Sequence, residues 1–261
     1  MLLAIDIGNT NIVLGLYQGR KLITHWRLAT QAERTADEYG VIILQLIGYS
    51  GHRGQQISAI AVSCVVPPML TTTLELGQKF FNIDPLIVGP GIKTGMPILY
   101  ESPKDVGADR IVNGIAAYEK YRDSCIIVDF GTATTIDLIS KKGEYIGGAI
   151  APGLNLSAEA LFSRAAKLSR VDIKRPPKVI GTNTVAHLQT GIYYGYIGLV
   201  DGILERIIAE LGTKPRIVAS GITSHMIAAD SRFIEAIDDN LTLDGLRILW
   251  ERNRHHSPSA H

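Results

Sequence analysis

The sequence predicts an α/β protein made of two duplicated lobes, and three observations predict it. The segment Ile5-Asp6-Ile7-Gly8-Asn9-Thr10-Asn11 near the start returns as Val128-Asp129-Phe130-Gly131-Thr132-Ala133-Thr134 near the middle. Each copy ends an apolar strand and runs at once into a second apolar segment, Ile12 to Tyr17 and Thr135 to Ile139. Each second segment closes on a polar turn with glycine, Gln18-Gly19-Arg20 and Lys141-Lys142-Gly143, before a third strand-like run. One supersecondary unit is therefore written twice. Two such units facing each other make a cleft with a carboxylate and a glycine turn on each wall, which suits a nucleotide triphosphate and its metal.

The elements follow in order. Leu2 to Leu28 reads as a three-stranded meander. Thr35 to Ile47 sets Tyr39, Ile42, Ile43, Leu46 and Ile47 at steps of three and four, the mark of an amphipathic helix. Thr35 with Glu38 forms its capping box. Ile57 to Val66 is β-branched and apolar, a buried strand. Pro67-Pro68 precedes a helix reaching Phe81, and Pro85 to Val88 is a short strand. From Gly89 to Pro103 the chain is rich in Gly and Pro, a loop of a length that is more often functional than idle. Gly107 to Tyr121 is a helix with Ile111, Val112, Ile115 and Ala116 inward. The lobe boundary falls in or near it, giving an N-terminal lobe over 1–115 and a C-terminal lobe over 116–261.

Cys125 to Ile150 is the second meander, and Gly153 to Arg164 begins another helix. Arg170 to Gly181 is a basic, proline-containing loop, and Asn183 to Leu211 is a long helix. Arg216 to Ala219 is strand-like; Phe233 to Ile237 and Leu243 to Leu249 are short apolar segments. The polar stretch Asn253 to His261, with its adjacent His255 and His256, reads as a frayed tail rather than a metal site.

Bulk properties narrow the classes. With 46% hydrophobic and 20% charged residues, 261 residues support a sizeable core. A formal net charge of +1 gives no global electrostatic case for nucleic acid or an anionic membrane. No apolar run approaches the ~20 residues that span a bilayer, and Asp6 interrupts the apolar start before it resembles a signal peptide. The two cysteines, Cys64 and Cys125, lie in strand-like runs and read as buried free thiols suited to a reducing cytoplasm.

The common nucleotide signatures are absent. There is no Gly-x-x-x-x-Gly-Lys-Ser/Thr loop and no Gly-x-Gly-x-x-Gly between strand and helix. Gly89-Pro90-Gly91 leads into loop residues and Pro97, not into a helix. Asp6, at the end of a buried strand, is costly unless its carboxylate meets a cation or donors, and magnesium bridging two phosphates is a natural cation. Gly8 permits a tight turn and close approach to phosphate. The same residues would also make a polar hairpin turn; the second copy favours a ligand. Thr132 and its neighbours form the matching turn.

Gly107-Ala108-Asp109-Arg110 opens a helix directly after the Gly/Pro loop. An acid there is favoured by the helix dipole by roughly 0.3–1 kcal/mol, so Asp109 reads either as a helix-start residue or as a base that orients a substrate hydroxyl. A weak base suffices where the hydroxyl proton leaves late, as in loose phosphoryl transfer. Arg110 suits a carboxylate or a phosphate. In the long helix Gly191, Gly195, Gly198 and Gly202 fall on one stripe, each costing about 1 kcal/mol relative to alanine. Close packing of another helix offsets that cost, from within the chain or from a second subunit.

Five ordered motifs resemble the type III pantothenate kinase family. They are Asp6-x-Gly-Asn-Thr, the loop from Gly89-Pro-Gly-Ile-Lys-Thr-Gly95 to Tyr100, Gly107-Ala-Asp-Arg110, Asp129-x-Gly-Thr132 and Gly181-Thr-Asn-Thr184. Asp-x-Gly alone would mark only the wider superfamily of acetate and sugar kinases and actin. The resemblance implies two ribonuclease-H-like lobes with mixed sheets around a central nucleotide cleft, a homodimer, and ATP-dependent phosphorylation of pantothenate, the first step towards coenzyme A. It implies that Asp6 and the turn through Ile7, Gly8, Asn9, Thr10, Asn11, Ile12 and Val13 hold the ATP phosphates and magnesium. Tyr100, Gly107, Ala108, Asp109 and Arg110 resemble the pantothenate site, with Asp109 as proton acceptor. Asp129 resembles the ligand of a monovalent cation, potassium or ammonium, Thr132 a nucleotide contact, and Thr184 a substrate contact reaching across the dimer. Ala219-Ser220-Gly221-Ile222 departs from the expected pattern, which has a second glycine at 222. Two alternatives stand beside this reading: a kinase of another small hydroxy acid, and a nucleotide-gated regulatory protein without kinase activity.

Overall fold

Strand β1 (Leu2–Ile7) is buried on both faces except at Asp6, and this places it inside a sheet rather than at an edge. The computed structural model describes residues 1–165 and 168–254; the polar stretch from His255, with His256, lies outside the described residues. β1 pairs antiparallel with β2 (Asn11–Gln18), which pairs antiparallel with β3 (Lys21–Ala29). Helix α1 (Ala36–Tyr49) follows, and both halves of the Thr35–Glu38 capping box are made. β4 (Ala59–Cys64) returns parallel to β1. α2 (Met69–Leu76) widens into a π turn over Gly77–Phe81, and β5 (Leu86–Ile87) lies parallel to β4. The sheet order is β3-β2-β1-β4-β5. Leu3, Ile5, Ile7, Leu14 and Leu16 pack with Tyr39, Ile43 and Ile47 of α1 in its core. The loop beyond β5 leads into α3 (Ala108–Tyr121).

The second unit repeats the plan. β6 (Cys125–Phe130), β7 (Ala133–Ile139) and β8 (Tyr145–Pro152) form the antiparallel meander. α4 (Leu154–Arg164) and the 28-residue α5 (Thr184–Leu211) come next, then β9 (Arg216–Gly221), parallel to β6. Short α6 (Ser224–Ala228) precedes β10 (Ala236–Ile237), parallel to β9. The order β10-β9-β6-β7-β8 matches the first sheet strand for strand. Ile126, Val128, Phe130 and Ile217 pack with Tyr193, Val200 and Leu204 of α5.

One detail differs from the sequence expectation. The division into 1–115 and 116–261 assigns the whole C-terminal end to the second lobe. The chain instead divides after Ala116, within α3, and residues 240–254 rejoin the first unit. There Leu243 to Leu249 is the middle of a helix, α7 (Leu241–Asn253), packed on β1, β2 and β4. The physical reason is burial: Leu241, Leu243, Leu246, Ile248 and Leu249 all turn inward. The glycine stripe of α5 bears on the choice between a partner within the chain and one from a second subunit. A Cβ at Gly191, Gly195 or Gly198 would meet nothing within 4 Å, and one at Gly202 would meet only Arg206 of the same helix. Among the described residues, therefore, no helix of this chain packs on the stripe.

Candidate active site

The first turn is a piece of tightly held backbone. The Gly8 amide donates to the Asn11 carbonyl at 2.9 Å, and a Cβ at Gly8 would sit 3.2 Å from that oxygen. Thr30, just past β3, donates its hydroxyl to the Gly8 carbonyl at 2.7 Å and its amide to the Thr10 carbonyl at 3.0 Å. Asn9 and Thr10 are thereby left exposed at the tip. Half-buried Asp6 stands opposite Val13 on β2 and Ser63 on β4, and Ile7 stands opposite Ile12. The Ser63 hydroxyl is buried with no hydrogen-bond partner. Beyond it, the half-buried Cys64 thiol donates to the Val66 carbonyl. Burial pushes that thiol up from its ordinary value, and the Asp6 carboxylate adds to the shift.

The second turn copies the first with different supports. The Gly131 amide donates to the Ala133 carbonyl at 3.1 Å. The Gly153 amide, at the start of α4, donates to the Thr132 carbonyl at 3.1 Å. A Cβ at Gly153 would fall 2.3 Å from the Thr132 carbonyl oxygen, so only glycine fits. Half-buried Asp129 stands opposite Thr135 and the buried Ser220. Directly paired residues share a face of the sheet, so two hydroxyls flank this carboxylate. The Thr135 hydroxyl donates to Asp137 at 3.0 Å, which leaves its oxygen lone pairs for another partner; fully buried Asp137 also accepts from Tyr145 at 2.6 Å.

These donor sets can be matched to ions. Among the described residues no group of three or more His, Cys, Asp or Glu gathers, so there is no all-protein divalent cage. One carboxylate beside a tight backbone turn and the buried, unpartnered Ser63 hydroxyl fits magnesium, which keeps waters and leans on substrate phosphates. The all-oxygen set of the Asp129 carboxylate with the Thr135 and Ser220 hydroxyls fits a monovalent cation.

The junction of loop and helix holds the remaining first-unit residues. Asp109 lies in the first turn of α3, half-buried, its Oδ1 accepting the Arg110 amide at 2.8 Å. A Cβ at Gly107 would lie 2.5 Å from that same oxygen, which explains a glycine there. Ala108 is half-buried, Arg110 is only 8% exposed, and Tyr100 on the preceding loop is exposed. In the second unit Thr184 is the exposed first residue of α5, behind Asn183, whose side chain caps the helix at 2.9 Å. An apolar groove of about 510 Å³ lies between α4 and α5, lined by Leu154, Leu161, Leu188 and Gly191, with Thr184 and His187.

The departure at Ile222 has a local explanation. Gly221 has φ +93°, and a Cβ there would meet the Phe130 carbonyl oxygen at 2.5 Å, whereas Ile222 keeps an ordinary φ and donates its amide to that oxygen at 3.2 Å. The turn needs glycine at 221 and tolerates a side chain at 222. Sequence reasoning missed Thr30, Ser63 and the role of Gly153. The only advance signal was Pro152-Gly153 at the head of a predicted helix.

Comparison with known proteins follows the same line. A family model described as type III pantothenate kinase matches residues 2–206. A type III pantothenate kinase of Geobacter sulfurreducens is 58% identical over 254 residues, covering 97% of this chain and 100% of that protein. One from Myxococcus xanthus is 52% identical over 253 residues, covering 97% and 99%. Among solved structures, a conserved Baf family transcriptional activator candidate from Campylobacter jejuni matches with TM-score 0.60 at 20% identity, covering 97% of this chain and 99% of its own. An inorganic polyphosphate/ATP-glucomannokinase from Arthrobacter matches with TM-score 0.52 at 13% identity, covering 98% and 99%. Those two likenesses concern the fold alone. With its two like-ordered mixed sheets and its full-length relatives, the chain belongs to the type III pantothenate kinase family.

Proposed function

We propose that this protein transfers the γ-phosphoryl group of ATP to the primary hydroxyl of pantothenate, releasing ADP and 4′-phosphopantothenate, the first step towards coenzyme A. The observation that carries this is the 58% identity, over 97% of this chain and 100% of the other, to a protein named type III pantothenate kinase. In the reaction the pantothenate oxygen bonds to the γ-phosphorus, the bond from that phosphorus to the β–γ bridging oxygen breaks, and the hydroxyl proton passes to Asp109. Asp109 is the proton acceptor because it is a half-exposed carboxylate fixed by the Arg110 amide at the head of α3. Arg110, with Tyr100, Gly107 and Ala108, forms the pantothenate side.

The backbone from Asp6 through Ile7, Gly8, Asn9, Thr10, Asn11 and Ile12 to Val13 receives the phosphates, with Thr132 as a second nucleotide contact. Preorganised amides act on charge as it develops, without rearranging. Magnesium, when bound, neutralises phosphate charge, and Asp6 would hold it. Asp129 would hold potassium or ammonium, with Thr135 and Ser220 beside it.

The protein is a homodimer in this reading, with the bare stripe of α5 as the interface and Thr184 serving the partner's substrate. The stripe supports this because a Cβ at Gly191, Gly195 or Gly198 would meet nothing within 4 Å. The near-neutral charge supports a protein that does not work on nucleic acid. No helix among the described residues is long and apolar enough to cross a membrane; the two free cysteines fit the reducing cytoplasm in which this reading places the enzyme.

A coupled ADP assay with ATP, magnesium and pantothenate, with and without potassium, tests the proposal. Pantothenate-dependent ADP release that rises with potassium is expected. Turnover with a different hydroxy acid in a substrate panel would replace the substrate. No ADP release with any member would favour a regulatory nucleotide-binding role.

A further inference from the structure

The loop that carries Tyr100 is tied to α7 at Lys93 and at Thr94. The Asn253 side chain accepts the Lys93 amide at 3.1 Å and donates to the Lys93 carbonyl at 3.0 Å, as a neighbouring strand would. The same Nδ2 reaches the Leu249 carbonyl at 2.8 Å, which fixes the rotamer of Asn253 against its own helix. Arg252 donates to the Thr94 carbonyl. Gly95, at φ +66°, leaves the guanidinium room, since a Cβ there would lie 3.0 Å from Arg252 Nη1. Thr94 then folds its hydroxyl back onto Met96, which is buried.

The other end of the same helix grips α3. Thr242 donates to Asn113 Oδ1 at 2.7 Å, and a Cβ at Gly245 would strike the Val112 carbonyl oxygen at 2.2 Å. At 1.5 Å per residue, Thr242 and Asn253 stand about 17 Å apart along one rigid rod. That rod is in contact with the loop before Tyr100 and with α3, which carries Asp109 in its first turn. It lies outside residues 2–206 that the family model matches.

We infer that α7 is a positioning strut for the acceptor substrate, with Asn253 as its positioning residue and Arg252 as support. It holds the loop over 93–96 in register with α3, so that Tyr100 and Asp109 meet pantothenate at a fixed spacing. Asn253 touches no reacting atom. This rests on the pantothenate reading above.

The test is N253A in the full-length protein. Expected are a KM for pantothenate raised about tenfold, with kcat and the KM for ATP within about twofold of wild type. The melting temperature should stay near wild type, and the Lys93 amide should exchange with solvent at least about tenfold faster. If N253A does not fold, N253D serves; it keeps the acceptor for the Lys93 amide, loses the donor to its carbonyl, and carries the same expectation. A loosened loop with an unchanged KM for pantothenate overturns the inference. Parallel losses in kcat, both KM values and melting temperature also overturn it, because they mark a merely structural helix. Wild-type enzyme with no pantothenate turnover overturns the proposed function instead, and is told apart by appearing before any substitution is made.

Discussion

Thr30 holds Gly8: its hydroxyl donates to the Gly8 carbonyl at 2.7 Å while its amide takes the Thr10 carbonyl at 3.0 Å. One residue past the third strand thus clamps both sides of the first turn. T30V keeps the shape and removes the hydroxyl. It should lower stability by about 1 kcal/mol and raise the KM for ATP several-fold without raising that for pantothenate. Urea unfolding and steady-state kinetics check this.

Asp109 carries the chemistry in the proposed mechanism. D109N should cut kcat by roughly 10²–10⁴ with the melting temperature unchanged. G107A should act on the same carboxylate from the side, because its Cβ would fall 2.5 Å from Asp109 Oδ1. Its kcat should fall while the KM for ATP holds. Near wild-type turnover by D109N would send the search to another base.

Gly153 tests the second turn. Its φ is −66°, open to any residue, so the effect of G153A is purely steric. The new methyl would press on the carbonyls of Thr132 and Gly131, at 2.3 and 2.6 Å. A loss of about 1–3 kcal/mol is expected, with weaker ATP binding read by titration.

The glycine stripe predicts an assembly. G195L replaces a helix-weakening residue with a good helix former, worth about 1 kcal/mol to an isolated helix. The folded monomer should therefore be no less stable, while the dimer is lost in sedimentation at micromolar concentration. A G195L dimer as tight as wild type would place the interface elsewhere.

Alkaline pH should unfold the protein through Cys125. Burial pushes this thiol from an ordinary 9.0 up to about 12, with the nearby Asp123 adding to the shift. The unfolded chain therefore loses the proton first, and it binds fewer protons than the native state between pH 9 and 12. Stability is fully present below pH 9 and falls as pH rises through that window. At pH 10 the loss is roughly 1.4 kcal/mol. Denaturant titrations at pH 8 and pH 10 should show this step in wild type and not in C125A.

What was legible in the sequence was local or periodic. The Thr35–Glu38 capping box needs only four consecutive residues, and the duplicated Asp-x-Gly turns end strands whose apolar runs are plain. What was hidden depends on partners far along the chain. Gly153 matters because of a carbonyl at 132, and Thr30 because of carbonyls at 8 and 10. Helix α7 was read as a short apolar segment because Asp244, Gly245 and Arg247 break its pattern. Asp244 is held by the buried Tyr17 at 2.9 Å, and Gly245 is the point of closest approach to Val112. Ile222 looked anomalous because the family pattern was read without the Phe130 carbonyl that sets the requirement one residue earlier.

The return of α7 to the first unit bears on how the chain is made. Residues 117–239 are continuous, so that unit has all its parts as soon as it leaves the ribosome. The first unit begins earlier but stays unfinished: the apolar faces of β1, β2 and β4 lack their cover until residues 241–253 emerge. Domains usually mature in the order of synthesis. Here the half that starts first must finish last, leaving part of its sheet open to chaperones for most of translation.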